Sequence, residues 1–474
     1  MSDLRRPNII LIMSDDQGWG QVGYMDHPHL KGKTPHLDQM AREGIRFDRF
    51  YAASPICSPT RASVLTGRTP ARTGVPSLHK RLVLQEKTLP QALQKAGYKT
   101  AHYGKWHLGG VQGSAMPILP DDPNGPKHYG FDEWLSATNY IEMNPLMTHN
   151  GEIVYLEGES SVLMVEAALN FIEQNQKEPL FIVLWYGSPH WPYTAEPQDL
   201  EGLSPELSNF EASLYGEIIG MDRSIGMLRD GLEKMDLRDN SLIWFCSDNG
   251  GRDHDPNAMA GLRGLKGSLY EGGIRVPGII DWPAAIKKPM VTDVPASTMD
   301  MMPTIIDLLN LPEDSMLDVV DGESLVPLIA GREFTRTKNI PFSSKGFALI
   351  DGHYKLVRNG AGKASKWELY NLAEDPAESS DLSGTLPERF ESMTAEAAQF
   401  QTSILASAEG KDYPEGRVLQ PQRHDMWDSM PEYQALYDTF AQLKPGWKPP
   451  APRLSKEERR ALRAEREARR ANKN

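Results

Sequence analysis

Cysteine is scarce in this chain of 474 residues, in which only Cys57 and Cys246 occur. Two thiols cannot build the disulfide framework of a small secreted scaffold, so the fold must rest on an apolar core. Long apolar runs are missing as well. The longest, Ile9–Met13 and Leu180–Tyr186, fall far short of the roughly 20 residues that a membrane span needs. We therefore expect neither a disulfide scaffold nor a membrane protein.

Basic charge is also in deficit. The 51 Lys and Arg residues face 64 Asp and Glu residues, which gives a net charge of −13. Proteins that bind nucleic acids usually present a basic face, so we expect no nucleic-acid partner. The one basic region is residues 451–474, with nine Lys and Arg residues against four Glu residues, which leaves the rest of the chain more acidic still. An anionic substrate would therefore need a locally positive pocket.

The N-terminus has no apolar stretch of signal-peptide length, because the run after Arg5 and Arg6 ends at Ser14. The sequence as written predicts a cytoplasmic protein. If a signal peptide had been removed, a periplasmic or secreted protein would be expected instead.

Four short apolar runs each end at polar residues and glycine. They are Asn8–Met13, Tyr98–Tyr103, Leu180–Tyr186 and Ser241–Cys246. Such runs are typical of buried central strands, and helical patterns such as Leu89–Ala96 and Leu163–Gln174 lie between them. The pattern predicts an α/β fold with a large mixed, mostly parallel sheet and helices on both faces. Ligands of such sheets bind beyond the carboxyl ends of the strands, where we expect the polar clusters to meet.

The chain is predicted to divide into three parts. Residues 1–331 are expected to form a catalytic α/β domain. Residues 332–450 are expected to form a smaller α+β subdomain with an antiparallel sheet, because short runs separated by turn residues follow one another there. Those runs are Phe347–Ile350, Tyr354–Arg358 and Trp367–Leu372. Residues 451–474 read as a charged helical tail, either solvated or in contact with another subunit of a homo-oligomer.

Two pairs of oxygen-bearing side chains follow the first and the fourth apolar run. They are Asp15 with Asp16, and Asp248 with Asn249. Carboxylates that close repel each other unless a cation neutralises them. An all-oxygen set favours a hard cation, Ca²⁺ or Mg²⁺, over zinc. Either pair alone could simply cap a helix or a turn, but the two together predict a metal site.

Cys57 begins a predicted helix, with Pro59 in the first turn and Arg61 four residues after the thiol. The helix dipole and Arg61 are expected to favour negative charge on this thiol. Cys246 falls inside a predicted buried strand and reads as a small apolar residue.

Six motifs in this sequence resemble those of the type I sulfatase family, within the alkaline phosphatase-like superfamily. The segment Cys57–Arg68 matches the pattern Cys-x-Pro-x-Arg followed by Leu-Thr-Gly-Arg. The other five are Pro7–Asp16, Gly104–Gly109, Ser188–His190, Ser247–Gly250 and Leu265–Gly267. They occur in the family's order across roughly residues 7 to 380. The resemblance implies a sulfuric ester hydrolase that converts a sulfate monoester, first of all a sulfated carbohydrate, into an alcohol and inorganic sulfate.

The resemblance also implies a modified nucleophile. Cys57 would be oxidised to formylglycine (3-oxoalanine) by a separate maturation enzyme, and its hydrate would attack sulfur. A geminal diol can attack with one hydroxyl and release sulfate by collapse of the other, which divides one difficult step into two easier ones.

Each remaining motif residue receives a role from the same resemblance. One Ca²⁺ ion, with Mg²⁺ as second choice, would be held by Asp15, Asp16, Asp248, Asn249 and the modified Cys57. Arg61 would hold the hydrate, and Lys105 and Lys266 would bind sulfate oxygens. His107 would accept the proton when the diol collapses, and His190 would protonate the leaving oxygen. Residues beside the motifs are candidates for substrate binding: His79, Trp191, Tyr193, Arg252, His254 and Tyr270.

Several alternative functions stay open from the sequence. The implied site has more positive than negative charge, which suits a sulfate monoester but also admits a phosphoryl group. A phosphonate monoester or phosphodiester hydrolase on the same scaffold is therefore an alternative, as is an arylsulfatase with a small aryl substrate. A two-zinc phosphatase or a catalytically silent glycan-binding protein would also be compatible with parts of the pattern.

Overall fold

The computed structural model describes residues 6–450 except 361, 363, 364, 421, 423 and 424. The chain divides into two units, Met1–Trp427 and Asp428–Asn474. The domain boundaries expected after residues 331 and 450 stay predictions, and the predicted helical tail at 451–474 lies outside the described residues.

A large mixed sheet organises the first unit. Its strands in chain order are β1 (Asn8–Ser14), β2 (Ile45–Tyr51), β3 (Lys99–Lys105), β4 (Glu133–Ala137), β5 (Leu146–His149), β6 (Glu152–Tyr155), β7 (Leu180–Trp185), β8 (Ser241–Ser247), β9 (Arg275–Asp281), β10 (Met290–Thr292) and β11 (Ala296–Ser297). Their order across the sheet is β10-β2-β9-β8-β1-β7-β3-β4-β5-β6, and β11 also pairs with β2.

The helices in chain order are α1 (Pro35–Glu43), α2 (Cys57–Thr66), α3 (Leu89–Lys95), α4 (Ser160–Gln174), α5 (Asn209–Lys234), α6 (Glu271–Ile274), α7 (Met301–Leu308), α8 (Val326–Ile329), α9 (Pro387–Ala408), α10 (Pro431–Gln434) and α11 (Tyr437–Leu443). Among the described residues, none of these helices combines the length and the apolar character that crossing a membrane requires.

The four strands predicted from apolar runs lie side by side at the centre of this sheet, in the order β8-β1-β7-β3. All three of their pairings are parallel. Every residue of β1, β7 and β8 is buried, because helices cover both faces and leave no face for polar side chains. The predicted α/β fold class is confirmed, and the carboxyl ends of the four strands share one edge.

Alternate residues of β1 pack into two separate apolar cores, one on each face of the sheet. Ile9, Leu11 and Met13 pack on one face with α2, α3 and α7. Ile10 and Ile12 pack on the other face with α1, α4 and α5. This division follows from the two-residue period of a strand, and each fully buried aliphatic side chain contributes roughly 1.5–3 kcal/mol.

A smaller antiparallel sheet follows in the chain. It consists of β12 (Ile340–Ser343), β13 (Phe347–Asp351), β14 (Tyr354–Arg358) and β15 (Glu368–Asn371), paired in that order. The hairpin between β13 and β14 turns at Gly352 and His353, between two of the predicted runs, so the predicted antiparallel sheet is confirmed. One face packs on α9, and the other packs against Tyr51, Leu269 and Ile274 of the large-sheet region.

Asp222 of α5 caps the N-terminus of α1 from a distance. Its carboxylate accepts hydrogen bonds from the backbone N–H groups of His36 (3.1 Å) and Leu37 (2.7 Å), which have no partner within their own helix. Burial, although opposed by these two hydrogen bonds, raises the pKa of Asp222 from 3.8 to about 7. The folded protein therefore holds a proton that the unfolded chain releases near pH 4.

A raised carboxyl pKa stabilises the fold below the unfolded value, and this contribution is lost as pH rises through about 7. It amounts to roughly 4 kcal/mol at most, at about 1.4 kcal/mol for each pH unit. We expect the Tm of the parent protein to fall between pH 5 and pH 8, and Asp222→Asn to flatten that fall. Asp230→Asn, at an exposed position of the same helix, should leave the slope unchanged. Parallel slopes for the parent protein and Asp222→Asn would contradict the assignment.

Candidate active site

The first pair of carboxylates lies where β1 ends. Asp15 and Asp16 follow Ser14, and the Asp15 N–H donates to the carbonyl of Ser188 at 3.0 Å. Asp16 has a φ of +65°, a left-handed conformation that Asp tolerates better than most residues. This turn lets two neighbouring side chains, which would point apart in an extended strand, converge on one point.

The second pair lies beside the first because β8 is parallel to β1, with Ser247 in register with Ser14. The N–H of Asp248 donates to the Ser14 carbonyl at 3.1 Å. In return, the N–H of Asp16 donates to Oδ1 of Asp248 at 3.1 Å. These reciprocal bonds fix the two loops to each other.

Cys57 joins the two pairs from the opposite side. It is the first residue of α2, every residue of which is buried. Its Sγ lies 3.5 Å from Oδ1 of Asp15 and 3.9 Å from Oδ1 of Asp16. One atom each of Asp15, Asp16, Cys57 and Asp248 fall within 4.8 Å of one another. The convergence expected from the sequence is therefore present.

Three cations surround this cluster, of which Arg61 and Lys105 are buried and Lys266 is partly exposed. Nη2 of Arg61 lies 2.7 Å from Oδ2 of Asp248, and its Nη1 donates to the carbonyl of Lys105 at 3.1 Å. Nζ of Lys105 lies 2.6 Å from Oδ2 of Asp15. Lys266 pairs with Oδ1 of Asp16 and places its Nζ 3.3 Å from Sγ of Cys57. Such neighbours are needed, since buried carboxylates without opposite charge are strongly destabilising.

The donor set fits a hard divalent cation. Asp16 Oδ2 and Asn249 Oδ1 are buried and have no hydrogen-bond partner among the described residues. Asn249 turns its Nδ2 instead toward Oδ1 of Asp16, at 2.9 Å. Buried acceptors are rarely left without partners, and carboxylate and amide oxygens are the ligands that Ca²⁺ prefers.

The pKa values of two carboxyl groups in the cluster, Asp248 and Asp16, are shifted in opposite directions. Burial, reinforced by Asp15, raises the pKa of Asp248 from 3.8 to about 6. Burial acts in the same direction on Asp16, but the charges of Lys266 and His190 outweigh it and lower the pKa of that carboxyl.

The thiol behaves differently from the expectation. Burial, followed by the charge of Asp248, raises the pKa of Cys57 far above that of a free thiol. The expected stabilisation of a thiolate by the helix dipole and Arg61 is outweighed, because Arg61 is bonded to Asp248 and to Lys105. An unmodified Cys57 is therefore a neutral thiol and a weak nucleophile.

Two histidines from different loops complete the predicted set. Nε2 of His107 lies 3.3 Å from Nδ1 of His79, and both residues have positive φ angles, +55° and +57°. Burial, with the charge of Lys105, holds the pKa of His107 well below 6.5, so its ring is neutral. Such strained backbone conformations recur at functional sites, where the surrounding structure holds them in place.

His190 lies on the other side of the cluster, with its Nε2 3.8 Å from Oδ2 of Asp16. Its Nδ1 donates to the carbonyl of Trp191 at 2.5 Å, which leaves Nε2 directed toward the acidic cluster. Burial lowers the pKa of His190 to about 3, although Asp16 opposes the change. The ring stacks on Tyr140 with centroids 4.7 Å apart.

The predicted substrate-binding residues are distributed around the cluster. Nη1 of Arg252 lies 3.7 Å from Oδ2 of Asp16. The hydroxyl of Tyr193 is hydrogen-bonded to Nδ1 of His254 at 2.8 Å, and Trp191 is 51 % exposed. Tyr270 instead donates to Glu368 of β15 at 2.7 Å and lies 3.7 Å beneath the guanidinium of Arg263.

Two aromatic residues at the site were not predicted from the sequence. Tyr140 stacks on His190, and Phe210 makes edge contacts with the rings of Tyr193 (5.1 Å) and His254 (5.2 Å). Phe210 is 42 % exposed, in the first turn of α5. The only sequence signal for Phe210 was a large apolar residue two positions after Ser208, which caps the N-terminus of α5.

Comparisons with known proteins agree with this arrangement. Residues 7–311 match the Sulfatase family model, and residues 265–398 match the model described as N-sulphoglucosamine sulphohydrolase, C-terminal. N-acetylgalactosamine-6-sulfatase of Canis lupus familiaris is 31 % identical over 416 residues, which are 78 % of this chain and 73 % of that protein. Arylsulfatase A of Homo sapiens is 31 % identical over 448 residues, covering 80 % and 84 %.

A solved structure shares the fold of the chain. The crystal structure of Ps i-CgsB in complex with k-i-k-neocarrahexaose has a TM-score of 0.74 and 26 % sequence identity, and the match covers 84 % of this chain and 93 % of that one. Together with the family match and the relatives, this places the chain in the sulfatase family, whose members are sulfuric ester hydrolases.

Proposed function

We propose that this protein hydrolyses the sulfate ester of a sulfated carbohydrate, with formylglycine at position 57 and one Ca²⁺ ion. The observation that carries the proposal is the meeting of the buried Cys57 and three buried carboxylates with three cations. When present, Ca²⁺ supplies charge that polarises sulfate oxygens, and formylglycine supplies a hydrated carbonyl as the nucleophile. Asp15, Asp16, Asp248 and Asn249 would hold the ion.

In this proposal, three cations bind and orient the reacting groups: Arg61, Lys105 and Lys266. Arg61 holds the reactive group at position 57, and its own direction is set by Asp248 and the carbonyl of Lys105. The ammonium groups of Lys105 and Lys266 lie on the two sides of the cluster, where they would bind sulfate oxygens as negative charge builds up. A preorganised donor of this kind is typically worth ~3–4 kcal/mol.

Two histidines move protons in this proposal. His107 has a buried Nδ1 with no hydrogen-bond partner among the described residues, so this nitrogen is available as a base. His190 keeps its Nδ1 on the Trp191 carbonyl and turns Nε2 toward the cluster. The neutral ring therefore has no proton on Nε2, and it would have to take one up there, which the negative charge of a bound sulfate ester favours, before passing it to the leaving oxygen.

The rim of the site supports a carbohydrate as the leaving group. Tyr193, His254 and Phe210 form a partly exposed cluster of rings, and Arg252, in the same loop as His254, lies 3.7 Å from Asp16. Ring faces pack well against the apolar faces of sugars. One relative is an N-acetylgalactosamine-6-sulfatase, and Ps i-CgsB was crystallised with k-i-k-neocarrahexaose, so both support the same substrate class. An aryl group would fit the same rings, so a small aryl sulfate is the second candidate.

A substrate comparison tests the proposal. The matured enzyme would be assayed with sulfated mono- and disaccharides, an aryl sulfate and an aryl phosphonate monoester. We expect the highest kcat/KM for a sulfated sugar and the lowest for the phosphonate. A higher kcat/KM for the aryl sulfate than for every sugar would replace the carbohydrate with an aryl substrate, and a preference for the phosphonate would overturn the proposal.

Phe210→Ala probes the ring cluster. Loss of its edge contacts should lower kcat/KM for a sulfated disaccharide by roughly 3- to 10-fold, since such aromatic contacts are worth about 0.5–1.5 kcal/mol. Turnover of a small aryl sulfate should change less than twofold. Leu405→Ala, at an exposed apolar residue of α9, serves as the matched control. Equal losses for both substrates would show that Phe210 acts on the fold rather than on the sugar.

A further inference from the structure

A second buried cluster of charges joins the small sheet to the large one. Nζ of Lys355, on β14, lies 2.9 Å from Oε1 of Glu271 and 2.9 Å from Oε1 of Glu378. None of the three side chains has any exposed surface. Two buried carboxylates that share one ammonium depend on it strongly, because removing one partner of a buried ion pair is costly.

Glu271 is the member of this cluster that is held most firmly. Its Oε2 accepts a hydrogen bond from the hydroxyl of Tyr51 at 3.0 Å and lies 3.7 Å from Nη1 of Arg275. Its backbone N–H donates to Oε2 of Glu378 at 2.6 Å. Both the side chain and the backbone of the first residue of α6 are therefore fixed.

The helix α6 in turn touches the candidate active site. The N–H of Gly250, next to Asn249, donates to the carbonyl of Gly273 at 2.9 Å. A Cβ added at Gly250 would lie 1.9 Å from the carbonyl oxygen of Gly272, so the two segments are in direct contact. A displacement of α6 would therefore also displace the loop after β8.

The loop that leads into α6 contains Lys266. The N–H of Gly272 donates to the carbonyl of Arg263 at 2.7 Å and closes the loop between them. Within it, the Lys266 N–H donates to the carbonyl of Gly251 at 2.9 Å, and the Gly267 N–H donates to that of Pro55 at 2.8 Å. The loop thus lies between the residues before Cys57 and those after Asn249. The hydrogen bond that closes it, from Gly272 to Arg263, is made by the residue next to Glu271.

We propose that Lys355 is a positioning residue of the active site, which acts through Glu271 to hold the ammonium of Lys266 beside Cys57 and Asp16. The inference rests on the proposed role of Lys266 in binding sulfate. Without the Lys355 ammonium, Glu271 and Glu378 lose the donor that lies 2.9 Å from each of them and links their side chains. The α6 segment then shifts, and the loop that it closes no longer presents Lys266 in one place. The small sheet therefore takes part in sulfate recognition from outside the pocket.

A double-mutant cycle separates this role from general support of the fold. The Kd for inorganic sulfate, measured by calorimetry on calcium-loaded protein, and kcat/KM would be determined for Lys355→Met, Lys266→Ala and the double variant. We expect Lys355→Met alone to weaken sulfate binding and to lower kcat/KM at least tenfold. In the Lys266→Ala background the same substitution should change either quantity less than twofold, because neighbouring effects that share one pathway are not additive.

Arg238→Met is the matched control. Arg238 forms a buried pair with Asp281 at 2.5 Å, just before the start of β8 and so at the opposite edge of the large sheet. It should lower Tm, and any effect on sulfate binding should be the same in both backgrounds. Equal factors for Lys355→Met in both backgrounds, or no effect in the parent protein, would overturn the positioning role.

Two milder variants decide the matter if Lys355→Met does not fold. Lys355→Arg keeps the charge but changes its geometry, and Tyr51→Phe removes one hydrogen bond to Glu271. Each should show a smaller loss of the same kind in the parent protein and the same insensitivity in the Lys266→Ala background. If Lys266→Ala leaves sulfate binding and turnover intact, the proposed role of Lys266 fails. If Lys266→Ala is damaging and Lys355→Met multiplies the loss, only the positioning role fails.

Discussion

Cys57→Ala is expected to lower turnover by about 10⁴- to 10⁶-fold, the range typical of removing an enzyme's nucleophile. The side chain is only 2 % exposed and small, so the substitution should leave the fold intact. Initial rates with a sulfate ester measure the loss, and Tm reports the fold. Substantial residual turnover in Cys57→Ala would refute the assignment of the nucleophile.

Cys246→Ala provides the matched control, because it removes the other buried thiol, inside β8. We expect a lower Tm from the cavity and a rate per folded molecule close to that of the parent protein. Intact-protein mass spectrometry adds a direct check, since formylglycine at position 57 lowers the mass by roughly 18 Da, whereas stepwise oxidation of a thiol adds mass.

Removal of the divalent ion should have the second-largest effect. The buried Asp16 Oδ2 and Asn249 Oδ1 have no hydrogen-bond partner among the described residues, and the ion would supply a partner to both. We expect chelation to abolish most turnover and lower Tm, and added Ca²⁺ to restore both. A ligand at about 100 times its Kd stabilises the fold by roughly 2.7 kcal/mol. Mg²⁺ should restore less, because it demands a smaller octahedral site.

Asp16→Asn tests the ion site without an activity assay. The substitution removes one charge but keeps a residue type that tolerates the positive φ of this position. The calcium-dependent rise in Tm should shrink or vanish. Asp26→Asn is the control, since Asp26 also has a positive φ but is exposed and pairs with Lys31. A full calcium-dependent rise in Asp16→Asn would contradict the proposed ligand set.

The central part of the fold could be predicted because its signals are local. Short runs of apolar, β-branched or aromatic residues, such as Leu180–Tyr186, indicate strands covered on both faces, and four of them became the neighbouring strands β8, β1, β7 and β3. Parallel strands bring their carboxyl ends to one edge. That rule was enough to place Asp15, Asp16, Asp248 and Asn249 together from the sequence alone.

The parts that could not be predicted depend on long-range contacts. Lys355 and Glu271 are separated by 84 positions, and Glu378 reaches the backbone of Glu271 across 107. No periodicity in the sequence predicts contacts between residues so far apart in the chain. The neutral state of the Cys57 thiol was missed for a related reason, because desolvation depends on how closely the whole pocket packs around it.

The depth of Cys57 in its pocket has a consequence for the order of events during synthesis. Asp248 leaves the ribosome roughly 190 residues after this cysteine. At about 5–20 residues per second, the thiol spends roughly 10–40 s without the walls that later enclose it. Once β8 is in place, the side chain is 2 % exposed and out of reach of another protein. Slower translation should therefore raise the fraction of chains that carry the aldehyde.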